Sequence, residues 1–244
     1  MMKKFKGFTL GEILIAMSVI GVVATLVLPQ LINGQKAAQG RAQFDTAYAL
    51  IAKSIADMDA DNISILPTSY TTSQSLYKAV KNYHRITIDC GDYNAANKNT
   101  SVCIGYSGGN ANDNFDNYYI YNKNSHTKVY MNLFDDGSFV INNGMLIAFE
   151  NPGGVTNGQP NPMFISVDIN GKNKLPNRYG WDLFTFELTK DGLLPLGADG
   201  TNATYSKDPE AYCNPNGTGN KNGATCAYYA VSNKDYFTEL YNGH

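Results

Sequence analysis

Three groups of side chains in this 244-residue chain have the types and spacing to do chemistry. The first is a lone acid. Glu12 stands near the start of an apolar run from Phe8 to Leu28 and is the only charge in it. A carboxylate in a hydrocarbon layer costs about 2.5–3.5 kcal/mol at a helix centre and less near an end, so its partner must be sought. The second group is rich in oxygen: Asp168-Ile169-Asn170-Gly171, then Pro176-Asn177, then Gly180-Trp181-Asp182. Calcium takes roughly six to eight oxygen ligands, so Asp168, Asn170, Asn177 and Asp182 are calcium candidates. The spacing departs from the EF-hand loop, because Lys172 occupies the place of an oxygen ligand and no glycine follows it. Asx turns, in which these side chains bond their own backbone, explain the same residues more simply, and no cofactor is expected. The third group is Gly105-Tyr106-Ser107-Gly108-Gly109, a G-x-S-x-G match. That pattern carries a nucleophile only on a strand-to-helix turn with a histidine and an acid in reach. Here it runs into Asn110-Ala111-Asn112-Asp113-Asn114, a loop composition, and the three histidines include the terminal His244. It reads as a glycine loop, and no enzyme is expected.

Four cysteines form two matched spacings, Cys90 with Cys103 and Cys213 with Cys226, each pair 13 apart. A zinc site would want tighter spacing, about two to four residues between ligands. Disulfides are favoured if this part of the chain lies on the oxidising side of a membrane. Three connectivities are possible. Local pairing is preferred because short loops close most readily.

The elements that position these residues begin with the apolar run. Phe8–Leu28 as a helix is about 32 Å long, enough for a hydrocarbon core of about 30 Å. Lys3, Lys4 and Lys6 precede it and no lysine or arginine follows until Lys36. The positive-inside rule therefore leaves the leader in the cytoplasm and carries the rest across. A secretory signal peptide has a shorter apolar core, roughly 7–15 residues, followed by a cut site. A plain anchor would leave Glu12 unexplained. Pro29 removes one backbone donor and is expected to kink or loosen the helix.

Beyond Pro29 the pattern remains helical. Phe44, Ala47, Tyr48, Ile51, Ile55 and Met58 recur at spacings of three and four, which gives one apolar stripe. Lys36, Arg41, Gln43, Asp45 and Lys53 lie opposite. Asp59-Ala60-Asp61-Asn62 ends the pattern, and a second helix is expected around Ser73–Tyr83. Expected strands are Ile86–Asp89, Lys128–Phe134, Phe139–Ile141, Met145–Phe149, Phe164–Ile169, Leu183–Leu188 and Tyr228–Val231. Asn143-Gly144 and Asp191-Gly192 are hairpin signals. The fold class is α+β: a long helix, transmembrane and then amphipathic, packed on a mostly antiparallel sheet. No internal repeat is evident.

Formal net charge is −2 and only 16% of residues are charged. Nucleic-acid binding needs a basic stripe, so no nucleic-acid partner is expected. The densest basic cluster, Lys78, Lys81, His84 and Arg85, reads as a solvated helix face.

The register Lys6-Gly7-Phe8-Thr9-Leu10-Gly11-Glu12 before an apolar helix resembles the type IV prepilin N-terminus, found in pilins and in type II secretion pseudopilins. Gly11 departs from it slightly, because a larger aliphatic residue often precedes the acid. The resemblance covers about the first thirty residues. It implies cleavage between Gly7 and Phe8 by a prepilin peptidase, and N-methylation of Phe8. Glu12 matches the family's assembly glutamate, and Pro29 a proline often found at that place. It implies other pilin or pseudopilin subunits and an inner-membrane assembly platform as partners. Val167–Gly197 and the Cys213–Ala227 region also resemble the heads of bacterial prepilin-type proteins.

Physical chemistry agrees with the role of Glu12. Cleavage would create an α-amine on Phe8 that is also costly to bury, and pairing it with the Glu12 of a neighbouring subunit would neutralise both. The expected organisation is a leader at 1–7, an N-terminal helix at 8–58 with its membrane span at 8–28, and a head at 59–244. The expected function is a structural subunit of a type IV pilus or type II secretion pseudopilus. It would be held in the inner membrane with its N-terminus in the cytoplasm, then moved to a surface or periplasmic filament. The alternative is a membrane-tethered periplasmic binding protein or enzyme that never polymerises.

Overall fold

The computed structural model describes residues 7–92, 101–104, 114–156 and 159–243. Helix α1 runs Leu10–Ala60, 51 residues, and is therefore about 76 Å long. Thr9 caps its start, and Asp61 caps its end with its N–H on the carbonyl of Asp57. Pro29 lies inside the helix without ending it. Proline has no N–H, so the carbonyl of Thr25 loses its helical donor there.

The helix has two halves with different surroundings. Large apolar residues from Leu10 to Ile32 are exposed, and the first buried residue is Ala37. From there Phe44, Ala47, Ile51, Ile55 and Met58 are buried, with Tyr48 packed at the margin. The stripe read from the sequence is therefore the face that meets the head. Phe44 sits edge-on to Phe184 at 4.7 Å between centroids, and Tyr48 stacks on Phe186 at 5.2 Å.

Helix α2, Ser75–Val80, continues into a 3₁₀ turn at Lys81–Tyr83, as the second helical pattern predicts. The sheet strands are β1 (Ile86–Gly91), β2 (Asn114–Tyr119), β3 (Lys128–Tyr130), β4 (Ser138–Ile141) and β5 (Leu146–Glu150). They are followed by β6 (Val155–Thr156), β7 (Gln159–Pro160), β8 (Met163–Asp168), β9 (Leu183–Thr189) and β10 (Gly192–Pro195). Six form one antiparallel sheet in the order β1-β4-β5-β8-β9-β10. The β2–β3 and β6–β7 pairs stand apart. Both hairpin signals close turns, at β4–β5 and β9–β10.

Both faces of this sheet are covered. Phe139, Ile147, Ile165, Phe184 and Phe186 point to α1 and α2. Val140, Leu146, Phe164 and Leu183 point the other way, onto Tyr118, Phe134 and Tyr179. Strands buried on two faces read as continuous apolar runs instead of alternating ones. The fold is α+β with the long helix packed on an antiparallel sheet.

Two expected strands are corrected. Lys128–Phe134 is strand only to Tyr130 and turns 3₁₀ at Met131–Leu133. Tyr228–Val231 lies within helix α3, Cys226–Ser232, which precedes helix α4, Tyr236–Gly243. In α3 it is Cys226, Ala227 and Ala230 that are buried, at helical spacing. A four-residue apolar run cannot by itself distinguish a strand from such a helix.

Candidate functional site

The N-terminal turn of α1 holds Glu12, the one acid of the apolar run. The Glu12 carboxylate accepts from the Thr9 N–H at 2.8 Å and from the Thr9 hydroxyl at 2.9 Å. The Glu12 N–H in turn donates to Thr9 Oγ1 at 3.3 Å. This is a capping box, in which two groups at the helix end satisfy each other. Phe8, directly before it, is 84% exposed. Glu12 therefore stands in the exposed apolar half of α1, and its donors among the described residues are those of Thr9. Among the described residues, α1 is the one helix long and apolar enough to cross a membrane.

The inner half of α1 is clasped by the C-terminus. Gly40 has no side chain to hold the two helices apart: a Cβ there would lie 2.7 Å from the Phe237 ring of α4. Arg41 donates to the carbonyls of Ala230 at 2.5 Å and Asn233 at 2.7 Å, and its guanidinium lies 5.0 Å from the centre of the Phe237 ring. Hydrogen bonds made by a charged group contribute about 1.5–3 kcal/mol. Arg41 is thus not on the polar outer face expected of it. The C-terminal carbonyls of α3 draw it inward, as orphan carbonyls attract cations.

The disulfides pair Cys90 with Cys103 and Cys213 with Cys226. The second bridge fixes the first residue of α3, and Tyr236 of α4 donates to the Gly180 carbonyl at 2.7 Å. Gly180 has φ 71°, and a Cβ there would meet Cys226 Sγ and the Tyr236 hydroxyl.

Gly180 belongs to the oxygen-rich segment. Asp168 and Asp182 come together there and are almost fully buried. Asp168 accepts from the Gly171 N–H at 2.8 Å, the Asn170 N–H at 3.2 Å and the Tyr118 hydroxyl at 2.6 Å. Asp182 accepts from the N–H groups of Arg178 at 2.6 Å and Asn177 at 2.7 Å, and from Asn170 Nδ2 at 3.3 Å. Burial pushes both carboxyls up, and the charge of Asp168 pushes Asp182 further. All four carboxylate oxygens already have protein donors. The oxygens Asn170 Oδ1 and Asn177 Oδ1 are buried without a hydrogen-bond partner among the described residues. The geometry is that of Asx-type turns holding a loop.

A second acidic group lies outside the motifs of the sequence. Carboxylate oxygens of Asp135, Asp136 and Glu150 lie within 4.8 Å of one another. Asp136 is held by the Ser73 hydroxyl and by the Asn151 N–H, the latter at 2.7 Å. Glu150 is pushed up to about 11, first by burial and then by its hydrogen bond with Asp135. Asp135-Asp136 is visible in the sequence, but only the antiparallel register brings Glu150 beside it.

The basic cluster is divided. Lys81 pairs with Asp89 at 3.1 Å. His84 does not lie on a solvated face: its ring packs 5.4 Å from Phe139, and burial depresses its pKa to about 4. The Gly105–Gly109 match, the leader residues 1–6 and His244 lie outside the described residues.

Residues 2–28 match the model of the prokaryotic N-terminal methylation motif. No curated protein and no solved structure matches the chain. The motif implies processing by a prepilin peptidase and assembly with other pilins, and with the apolar helix it suggests membrane anchoring. Its family is structural, not enzymatic. Over these residues the chain is similar to type IV prepilins and pseudopilins.

Proposed function

We propose that the protein is a structural subunit of a type IV pilus or type II secretion pseudopilus. A prepilin peptidase cuts it between Gly7 and Phe8, and Phe8 is then methylated. Until assembly it is held in the inner membrane by the apolar half of α1, with the head outside. An inner-membrane platform then moves it into a surface or periplasmic filament. One observation carries this reading: the methylation motif at residues 2–28 runs directly into a helix whose apolar side chains are exposed as far as Ile32. Such a surface needs cover, first from lipid and then from neighbouring helices.

Glu12 has a defined place in this account. In the single chain its carboxylate is held by Thr9. In the filament the α-amine of another subunit's Phe8 becomes its partner. Apolar packing has no register of its own, so that charge pair sets the stagger between subunits.

The test is mass spectrometry of the mature N-terminus in cells that make the peptidase. A chain beginning at methylated Phe8 is expected. An intact Met1, or an unmethylated end elsewhere, overturns the reading.

A further inference from the structure

We propose that the groove beside Lys36 binds the phosphate headgroup of an anionic phospholipid while the protein is stored in the membrane. This rests on the membrane reading of α1 above. The groove, of about 440 Å³, lies between α1 and the loop after β8; its walls include Lys36, Lys174, Leu175, Trp181 and Tyr241.

Its height fits. The exposed apolar surface of α1 ends at Ile32, and Lys36 follows four residues later, about 6 Å along the axis. Burial against the head begins at Ala37. A headgroup layer is roughly 5–7 Å thick on each side of the hydrocarbon. With the hydrocarbon reaching Ile32, four residues beyond the span read from the sequence, the underside of the head meets that layer at this groove.

Its chemistry fits as well. Lys36 and Lys174 are exposed, and neither ammonium has a hydrogen bond or an ion pair among the described residues. Two unpaired cations in one groove suit a phosphodiester better than a zwitterion, whose own ammonium would be repelled. Trp181 and Tyr241 meet edge to face at 5.5 Å, and Trp181 Nε1 is already used on the Tyr121 carbonyl. The indole thus presents an apolar body at the level where membrane proteins concentrate such rings. Leu175 is 83% exposed at the rim, placed to enter the acyl boundary. Asp182, the acid in the wall, is buried with both oxygens occupied.

Trp181 is the only tryptophan; it also lines a neighbouring hollow with Tyr121 and Lys123, so the lysine variants below assign the signal to this groove. The full chain is reconstituted in phosphatidylcholine vesicles containing phosphatidylglycerol, with bromine on the acyl chains of one lipid or the other. Two lysines at the surface predict a relative binding constant of roughly thirtyfold in favour of phosphatidylglycerol, read as stronger quenching by its brominated form. The Lys36→Gln/Lys174→Gln double variant should bring the ratio close to one. The leader lysines are the same in the double variant and cannot produce that change. Equal quenching by both lipids in the wild type overturns the proposal, as does a preference that survives in the double variant. If inorganic phosphate shifts Trp181 emission equally in lipid-free detergent, the groove is a soluble-anion site and the lipid assignment fails. Flotation with vesicles after alkaline extraction reports insertion separately: a chain that floats without lipid preference fails this proposal alone, and one that does not float fails the membrane reading.

Discussion

Thr9 and Glu12 bond each other in both directions at the first turn of α1. Each supplies what the other lacks: the helix end has spare N–H donors, and the acid has spare acceptors. The carboxylate is thereby stabilised locally, yet it is bound to groups that can release it. A neighbour's ammonium is a stronger partner than a hydroxyl, because both members of the pair are then charged.

Glu12→Ala should therefore abolish entry into filaments while leaving membrane insertion intact. Thr9→Ala removes a cap of about 1 kcal/mol but leaves the acid, so assembly should fall only severalfold. The ratio of sheared filament to membrane-held subunit measures both. Wild-type incorporation of Glu12→Ala would sink the assignment.

The clasp on the inner half of α1 gives a second prediction. Arg41→Ala loses the bonds to Ala230 and Asn233, about 1.5–3 kcal/mol. For a chain of this size each kcal/mol shifts Tm by about 2–4 °C, so a drop of roughly 3–12 °C is expected by circular dichroism in detergent. Gly40→Leu should do at least as much, because its side chain must displace Phe237. If both variants melt with the wild type, the C-terminus does not hold the helix.

The sequence made some of this legible and hid the rest for physical reasons. The stripe Phe44–Met58, the hairpins at Asn143-Gly144 and Asp191-Gly192 and the N-terminal motif are local patterns, and local patterns survive folding. Arg41 cannot be placed from the sequence, because its acceptors lie 189 and 192 residues away at the C-terminal end of α3. The Asp135–Asp136–Glu150 group depends on strand register, which one sequence does not reveal. Tyr228–Val231 reads as a strand from the sequence because a short run of tyrosine, alanine and valine suits either element.

His84 should make the head sensitive to acid. Its pKa falls to about 4 from an ordinary value near 6.5, because burial disfavours the cation. A depressed folded-state pKa means that the unfolded chain takes up the proton first. Stability is then full above about pH 6.5 and is lost as pH falls toward 4. Lys53, Asp57 and Arg85 line the same hollow, with Lys53 already paired to Asp57, so burial and not charge is the cause of the shift. His84→Gln should flatten the fall in Tm between those values. An unchanged slope would mean that other groups carry it.

Glu150 carries the opposite sign. Its pKa is raised to about 11 by burial and by Asp135, so the folded state holds a proton that the unfolded state has released at neutral pH. The contribution is full below about pH 4.5 and is lost steadily as pH rises toward 11. Glutamine keeps the shape and hydrogen-bonding capacity of the neutral acid without having to bind a proton. Glu150→Gln should therefore raise stability at pH 7–8 by about 1–3 kcal/mol and remove part of the alkaline slope. Urea melts at pH 5 and pH 8 measure it: the variant should gain on the wild type at pH 8 and little at pH 5. Equal shifts at the two pH values would show that Glu150 is ionised in the folded protein.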